Sequence, residues 1–302
     1  MFDTVVIKAR PIHLESEALL STENCKSVTF LNKETGVLQT RYEIYDEQLS
    51  YIKYLDGSQT LSIQVSIPKL LYGNNVTLIN QQDIPRFFER VQERIYQLFS
   101  IKIPHSEWSI SRADICWNFQ AGKDVGEYVR MLSKQKLAFK NTRSFNQDQT
   151  VEFFNKSSRI IFYDKQRQMQ KEKALPEIVE QSKGILRLEI KPSDNDMKKF
   201  SPTKNAVELL NKQFFDYMTT KVLNEIEYPS SVSTLDFSWV MENKQNISKI
   251  ETLLGFQVLQ DTFEESALRQ LYTPSTYANR KTLAKKMTIP TGNCLEPLAI
   301  NQ

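Results

Sequence analysis

A chain of 302 residues, 40% hydrophobic and 25% charged, has the make-up of a globular protein that can bury its own core without disulfides. Its formal net charge of only +3 neither demands nor forbids a polyanionic partner, and the three scattered cysteines, with no CxxC pair, read as reduced thiols. No stretch nears the roughly 20 apolar residues of a membrane helix, and MFDTVVIKAR lacks the apolar stretch of a secretory signal, so a cytoplasmic protein with no membrane partner is expected.

The first eighty residues read as strands. VVIKA, SVTFLN, VLQTRYEIY, LSYIKYL and TLSIQVSI are rich in β-branched and aromatic residues, with turn signals between them at Asn32 to Gly36 and Asp56-Gly57. Gly73-Asn74-Asn75, after PKLLY, reads as a tight turn. A helix follows, with Ile84, Phe87, Phe88, Val91, Ile95, Leu98 and Phe99 on one face. Trp108 to Phe119 is a long strand, and Asp124 to about Leu137 a helix. A loop rich in Asn, Arg, Ser and Gln leads to the strands TVEFFN and SRIIFYDK. A charged helix, about Gln166 to Gln181, leads to the strand GILRLEIK.

After Pro192 helical patterns dominate: Thr203 to about Leu223, Ile247 to Leu254, Thr262 to Leu271 and Ser275 to about Met287. Two regions are therefore expected, a β-rich domain over 1–192 and a helical region over 203–302. The fold class is α+β, a large, mostly antiparallel sheet with packed helices.

Alternation along three strands concentrates the chemistry, because every second side chain shares a face. Arg112, Asp114 and Asn118 lie opposite Ala113, Ile115, Trp117 and Phe119. Arg159, Tyr163 and Lys165 lie opposite Ile160 and Phe162, although Ile161 falls on the polar side. Arg187, Glu189 and Lys191 lie opposite Leu186, Leu188 and Ile190. If these strands are neighbours, two carboxylates, several cations and one tyrosine share a surface. Asp114 and Glu189 can then hold a divalent cation while Tyr163 attacks a phosphate. The same alternation also suits a solvated sheet face laced with Arg–Glu pairs.

With only His13 and His105, well apart, a two-histidine metal motif is absent; an all-oxygen site would favour Mg²⁺ or Mn²⁺. A free phenol has a pKa of about 10, and a bound cation or Lys165 can lower it; Lys165 serves equally as a plain phosphate contact. No GxxxxGK loop and no Ser-His-Asp motif is present. Tyr217 follows Leu210 and Phe214 in an apolar helical pattern, so it reads as core, and Tyr272 and Tyr277 flank a proline turn.

MFDTVVIK, SIPKLLYGNN, WSISRADICWNF, TVEFFNKSSRIIFYDK and GILRLEIK, in this order and spacing, resemble the filamentous-phage gene II/X replication initiators, a phage and plasmid rolling-circle replication family. The likeness runs from the N-terminus to about Pro202. It implies a metal-dependent endonuclease that nicks one strand of a supercoiled origin and rejoins it. It places the family nucleophile on Tyr163, the family lysine on Lys165, and the Arg–x–Asp and Arg–x–Glu segments on Arg112 with Asp114 and Arg187 with Glu189. Origin DNA, double- and single-stranded, and a host helicase and polymerase are the implied partners. Arg112, Arg159 and Arg187, with Lys140 and Arg143 of the basic loop, are the expected phosphate contacts. Family members carry an acid in the strand before PKLL, where this chain has Gln64. A mobilisation relaxase and a DNA-binding regulator that never cuts are the alternatives.

Overall fold

A computed structural model describes residues 1–145, 149–228, 237–287, 289 and 295–300, with the backbone alone at 237 and 238. The chain divides into two units, Met1–Glu227 with Pro297–Gln302, and Tyr228–Glu296. This boundary falls later than the change of composition after Pro192 suggests. The reason lies in Asn205 to Leu223, which joins the β-rich unit: Ala206 N–H donates to Trp108 O at 2.8 Å, and Phe215 packs on Trp117 at 5.6 Å between ring centroids.

The first unit is built on one ten-stranded sheet. Its strands are β1 (Phe2–Ala9), β2 (Cys25–Leu31), β3 (Leu38–Asp46), β4 (Ser50–Leu55), β5 (Thr60–Ser66), β6 (Ser109–Gln120), β7 (Asn141–Phe145), β8 (Thr150–Phe154), β9 (Arg159–Asp164) and β10 (Ile185–Lys191). They lie in the order β2-β3-β4-β5-β1-β6-β10-β9-β8-β7, and every pairing is antiparallel. The expected sheet is therefore present, with one strand more than the pattern shows. That strand, β7, has the sequence NTRSF and exposes nearly all its side chains, so it carries no apolar alternation.

The helices of this unit are α1 (Ser16–Leu20), α2 (Ile67–Tyr72), α3 (Asp83–Phe99), α4 (Val125–Ser133), α5 (Lys165–Lys171), α6 (Pro176–Gln181), α7 (Asp194–Phe200), α8 (Ala206–Leu209) and α9 (Lys212–Leu223). Helix α3 forms where the 3.6-residue spacing places it, burying Phe87, Phe88, Val91, Ile95 and Phe99. The charged helix expected over 166–181 is two helices. Lys173 takes a left-handed φ of 53° and Pro176 starts the second, which breaks the run. Residues Ser193 to Pro202, which lie between the two expected regions, hold α7, whose Ser193 and Asp196 form a reciprocal capping box.

The second unit holds α10 (Phe237–Glu242), α11 (Ile247–Thr262), α12 (Glu265–Gln270) and α13 (Pro274–Lys286). Ile250 and Leu253 of α11 pack with Ile289, and Phe256 packs with Leu268 and Tyr277. Lys281 on the basic helix α13 is paired with Glu265 at 2.9 Å. No helix among the described residues is long and apolar enough to cross a membrane.

Candidate functional site

Register decides which side chains meet. Tyr163 pairs with Arg187, and Ile161 with Glu189, so Tyr163 and Glu189 are diagonal neighbours on one face of β9 and β10. Long side chains bridge that diagonal. The Tyr163 hydroxyl donates to Glu189 Oε1 at 2.5 Å. On the other side of β10, Arg187 pairs with Asn118 and Glu189 with Cys116 of β6.

Arg187 organises this cluster from beneath. Its side chain is 0% exposed, and it donates to Asn75 O at 2.9 Å, Asn118 Oδ1 at 3.1 Å and Asp3 Oδ2 at 3.2 Å. Its Nε is buried without a hydrogen-bond partner and stands 3.6 Å from Glu189 Oε1. One guanidinium thus lies between two carboxylates. Asp3, which the strand alternation did not single out, is brought here by an irregularity in β1: its register with β6 shifts between Phe2 and Val5. Bulges re-aim side chains in this way. Ser66 Oγ donates to Asp3 Oδ1 at 2.9 Å.

Lys165 was expected on the strand face. Instead β9 ends at Asp164, which caps α5 by accepting from Arg167 N–H at 3.1 Å, and Lys165 becomes the first helical residue. Its side chain is fully buried, donates to Gln168 Oε1 at 2.9 Å and lies 5.8 Å from the Tyr163 ring centroid. Burial, reinforced by the Arg187 charge, brings its pKa down to about 8.

The phenol behaves opposite to expectation. Burial and the neighbouring Glu189 carboxylate push its pKa well above the ordinary value, and Arg187 offsets only part of this. Burial also raises the Glu189 pKa, against the pull of Arg187. A tyrosine that resists ionisation, hydrogen-bonded to a carboxylate of raised basicity, suits proton transfer during attack rather than a standing phenolate.

Tyr163 and Glu189 line a cleft of about 250 Å³, together with Phe145, Thr150 and Ile161 of the sheet and Arg167 and Lys171 of α5. Arg167 and Lys171 are both exposed and stand one turn apart, which puts them on one side of the helix. Strand alternation does not reveal them because they belong to a helix; the basic run from Lys156 to Lys173 is their only signal.

The other expected residues are placed as follows. Asp114 shares the polar face, but its carboxylate is held by Arg112 through both oxygens. Burial raises its pKa, with Arg112 opposing. Arg143 and Arg159 both reach the buried Glu152 of β8, Arg159 at 2.6 Å. Lys140 donates to Ser158 Oγ at 2.6 Å. Gln64 faces Val6 and Tyr51 in the sheet, and the exposed His105 stacks on Phe88 at 4.9 Å. Tyr217, read as core, is 41% exposed, whereas Tyr272 and Tyr277 pack on Phe256.

The donor set fits a divalent cation poorly. Asp3 and Glu189 face the Arg187 guanidinium, which already supplies positive charge between them, and Asp114 is taken by Arg112. Among the described residues no three His, Cys, Asp or Glu side chains converge to hold a metal. What the arrangement offers is a hydroxyl nucleophile, a carboxylate in contact with it, a buried ammonium beside it, and a guanidinium and a second ammonium at the rim. Compared with protein-family models and with curated proteins, the chain matches none.

Proposed function

We propose that the chain is a rolling-circle replication initiator, a site-specific endonuclease that nicks one strand at a phage or plasmid origin through Tyr163 and later rejoins it. The observation that carries this reading is the 2.5 Å contact between the Tyr163 hydroxyl and Glu189 at the wall of a cleft edged by Arg167 and Lys171. The resemblance of the sequence to the phage initiators supplies the substrate.

In this reading the scissile phosphate enters the cleft, with Arg167 and Lys171 neutralising its charge. Tyr163 Oη bonds to phosphorus as its proton passes to Glu189. The bond from phosphorus to the 3′-oxygen breaks, and water protonates that oxygen. The products are a 5′-phosphotyrosyl link and a 3′-hydroxyl, which a host polymerase extends behind a host helicase. After one round a second cut at the regenerated origin frees the 3′-hydroxyl of the displaced strand, and its attack on the phosphotyrosyl link, the reverse of the first step, closes that strand and releases Tyr163. Lys165 stabilises charge developing on the phenol oxygen, and Arg187 holds Glu189 in place from below. The Mg²⁺ or Mn²⁺ expected from the sequence has no step assigned to it.

The test is incubation with supercoiled cognate plasmid in Mg²⁺, in Mn²⁺ and in a chelator. Nicked circles carrying covalently bound protein support the proposal. Retardation without nicking favours the regulator, and cleavage confined to a transfer origin favours the relaxase. Activity that survives the chelator places the chemistry on the side chains alone; activity restored by either ion adds a cation bound together with DNA.

Lys165 gives a pH signature. It is charged below its pKa, so nicking is expected to fall as pH rises through about 8. Lys165→Met should nick slowly at every pH and lack that alkaline limb. A wild-type profile that rises through the same range would make Lys165 a base instead.

A further inference from the structure

A second pocket, of about 450 Å³, opens in the first unit around β4, β5, β1 and β6, and it is lined by four cations, Lys8, Arg10, Lys53 and Lys204. Lys8 of β1 pairs with Ser62 of β5 on one side and Ser109 of β6 on the other, and Lys53 of β4 pairs with Ser62, so these side chains share one sheet face. Thr60 and Ser111 add hydroxyls to the lining. None of the residues lining it is acidic. Lys204 is paired with Asp194 at 2.6 Å, and Glu43, cross-strand from Lys53, is engaged by Arg41 at 2.8 Å. Lys8, Arg10 and Lys53 have no ion pair among the described residues.

Lys8 and Lys53 project from paired strands, and the loop that carries Lys204 is held in place. Lys204 O accepts from Ile110 N–H at 2.8 Å and Asn205 bridges to Ser109, tying the loop to β6. Like charges gathered at a fixed site repel one another, and that repulsion is relieved by an anion. Consistent with this, the Lys8 pKa is lowered, by burial first and then by Lys53, Lys204 and Arg10.

The face continues towards Tyr163. One extra residue in β6, Ser111, shifts the register with β1 between Val6 and Ile7. It lets Ser109 share a face with Arg112, Asp114 and Asn118, and hence with Arg187, Glu189 and Tyr163. The basic pocket and the tyrosine cleft therefore open on the same side of one sheet.

We propose that the pocket of Lys8, Arg10, Lys53 and Lys204 binds a backbone phosphate of single-stranded DNA, anchoring the strand several strands away from the nucleophile. The choice of DNA rests on the function proposed above; the affinity for a phosphate group does not.

The experiment measures binding of a labelled single-stranded oligonucleotide by fluorescence anisotropy over a salt series, in a Tyr163→Phe background so that cleavage cannot contribute. Adding Lys8→Gln with Lys53→Gln should weaken binding at least about fivefold for every oligonucleotide sequence. The slope of log affinity against log salt should fall by about 0.7 for each phosphate that is no longer neutralised. Lys8→Arg with Lys53→Arg should restore both. If the glutamine pair does not fold, Lys53→Gln alone carries the test. Nicking by the chain that retains Tyr163, together with an unaltered salt slope in the glutamine variant, overturns the pocket and leaves the nicking proposal standing. A flattened slope without wild-type nicking does the reverse. Thermal stabilisation by inorganic pyrophosphate, lost in the glutamine variant and without oligonucleotide binding, replaces DNA by a small phosphate compound.

Discussion

Replacing Tyr163 by phenylalanine is expected to lower cleavage of a supercoiled cognate plasmid by at least about 10⁴-fold, the scale on which enzymes lose rate when a nucleophile is removed. The ring stays, so the packing of β9 against β8 and β10 is kept. What is lost is the hydroxyl that donates to Glu189 at 2.5 Å. Because the Glu189 side chain is 25% exposed, water can replace that donor, and the stability cost should be only about 1 kcal/mol. Oligonucleotide binding should survive. Nicking and a covalent protein–DNA adduct are read on one denaturing gel. Cleavage at the wild-type rate would transfer the role to another hydroxyl and remove the basis of the functional proposal.

Arg187→Met should produce the largest loss of stability, about 3–5 kcal/mol, the cost of breaking a buried ion pair from one side. The substitution leaves Asp3 and Glu189 without their shared cation and strips Asn118 Oδ1 and Asn75 O of a donor. A methionine fills the volume, so the effect reports charge rather than a cavity. A lysine should rescue little, because one ammonium cannot reach acceptors spread around a planar guanidinium. Urea denaturation followed by circular dichroism measures the change. Adding Glu189→Gln to Arg187→Met should recover part of it, as coupled residues do. A midpoint equal to wild type would mean that the two carboxylates are hydrated without Arg187. The same placement sets Arg187 apart from its expected role: a fully buried guanidinium orients Glu189, while Arg167 and Lys171 face the cleft.

Parity along the strands made much of this legible. Tyr163, Glu189, Asp114 and Arg112 do share a face, since each strand buries the opposite side, and β-branched runs marked nine strands of the sheet. Parity carries no information on depth. It cannot distinguish Arg159, half exposed on Glu152, from Arg187, sealed under Asn75. It also fails wherever the count slips. Asp3 is in phase with the core residues Val5 and Ile7, and only the bulge in β1 brings its carboxylate to Arg187, 184 residues away in sequence. Lys165 follows Tyr163 by two residues, yet the Asp164 cap converts it from a strand position to a buried helix start. β7 was hidden for a simpler reason. An edge strand with nearly all its side chains in solvent has no face to keep apolar.

The supernumerary Ser111 has a further meaning for how this surface can vary. It acts as a phase setter between two halves of one sheet: upstream of it odd-numbered β6 residues look outward, downstream even-numbered ones do. Pairing that residue into a regular ladder would leave every side chain chemically intact and yet turn Ile110 out to water and Ser109 into hydrocarbon, whereas excising it would keep both on their present sides. The looping-out of this one residue, more than the identity of any cation, keeps the two clefts on a common plane.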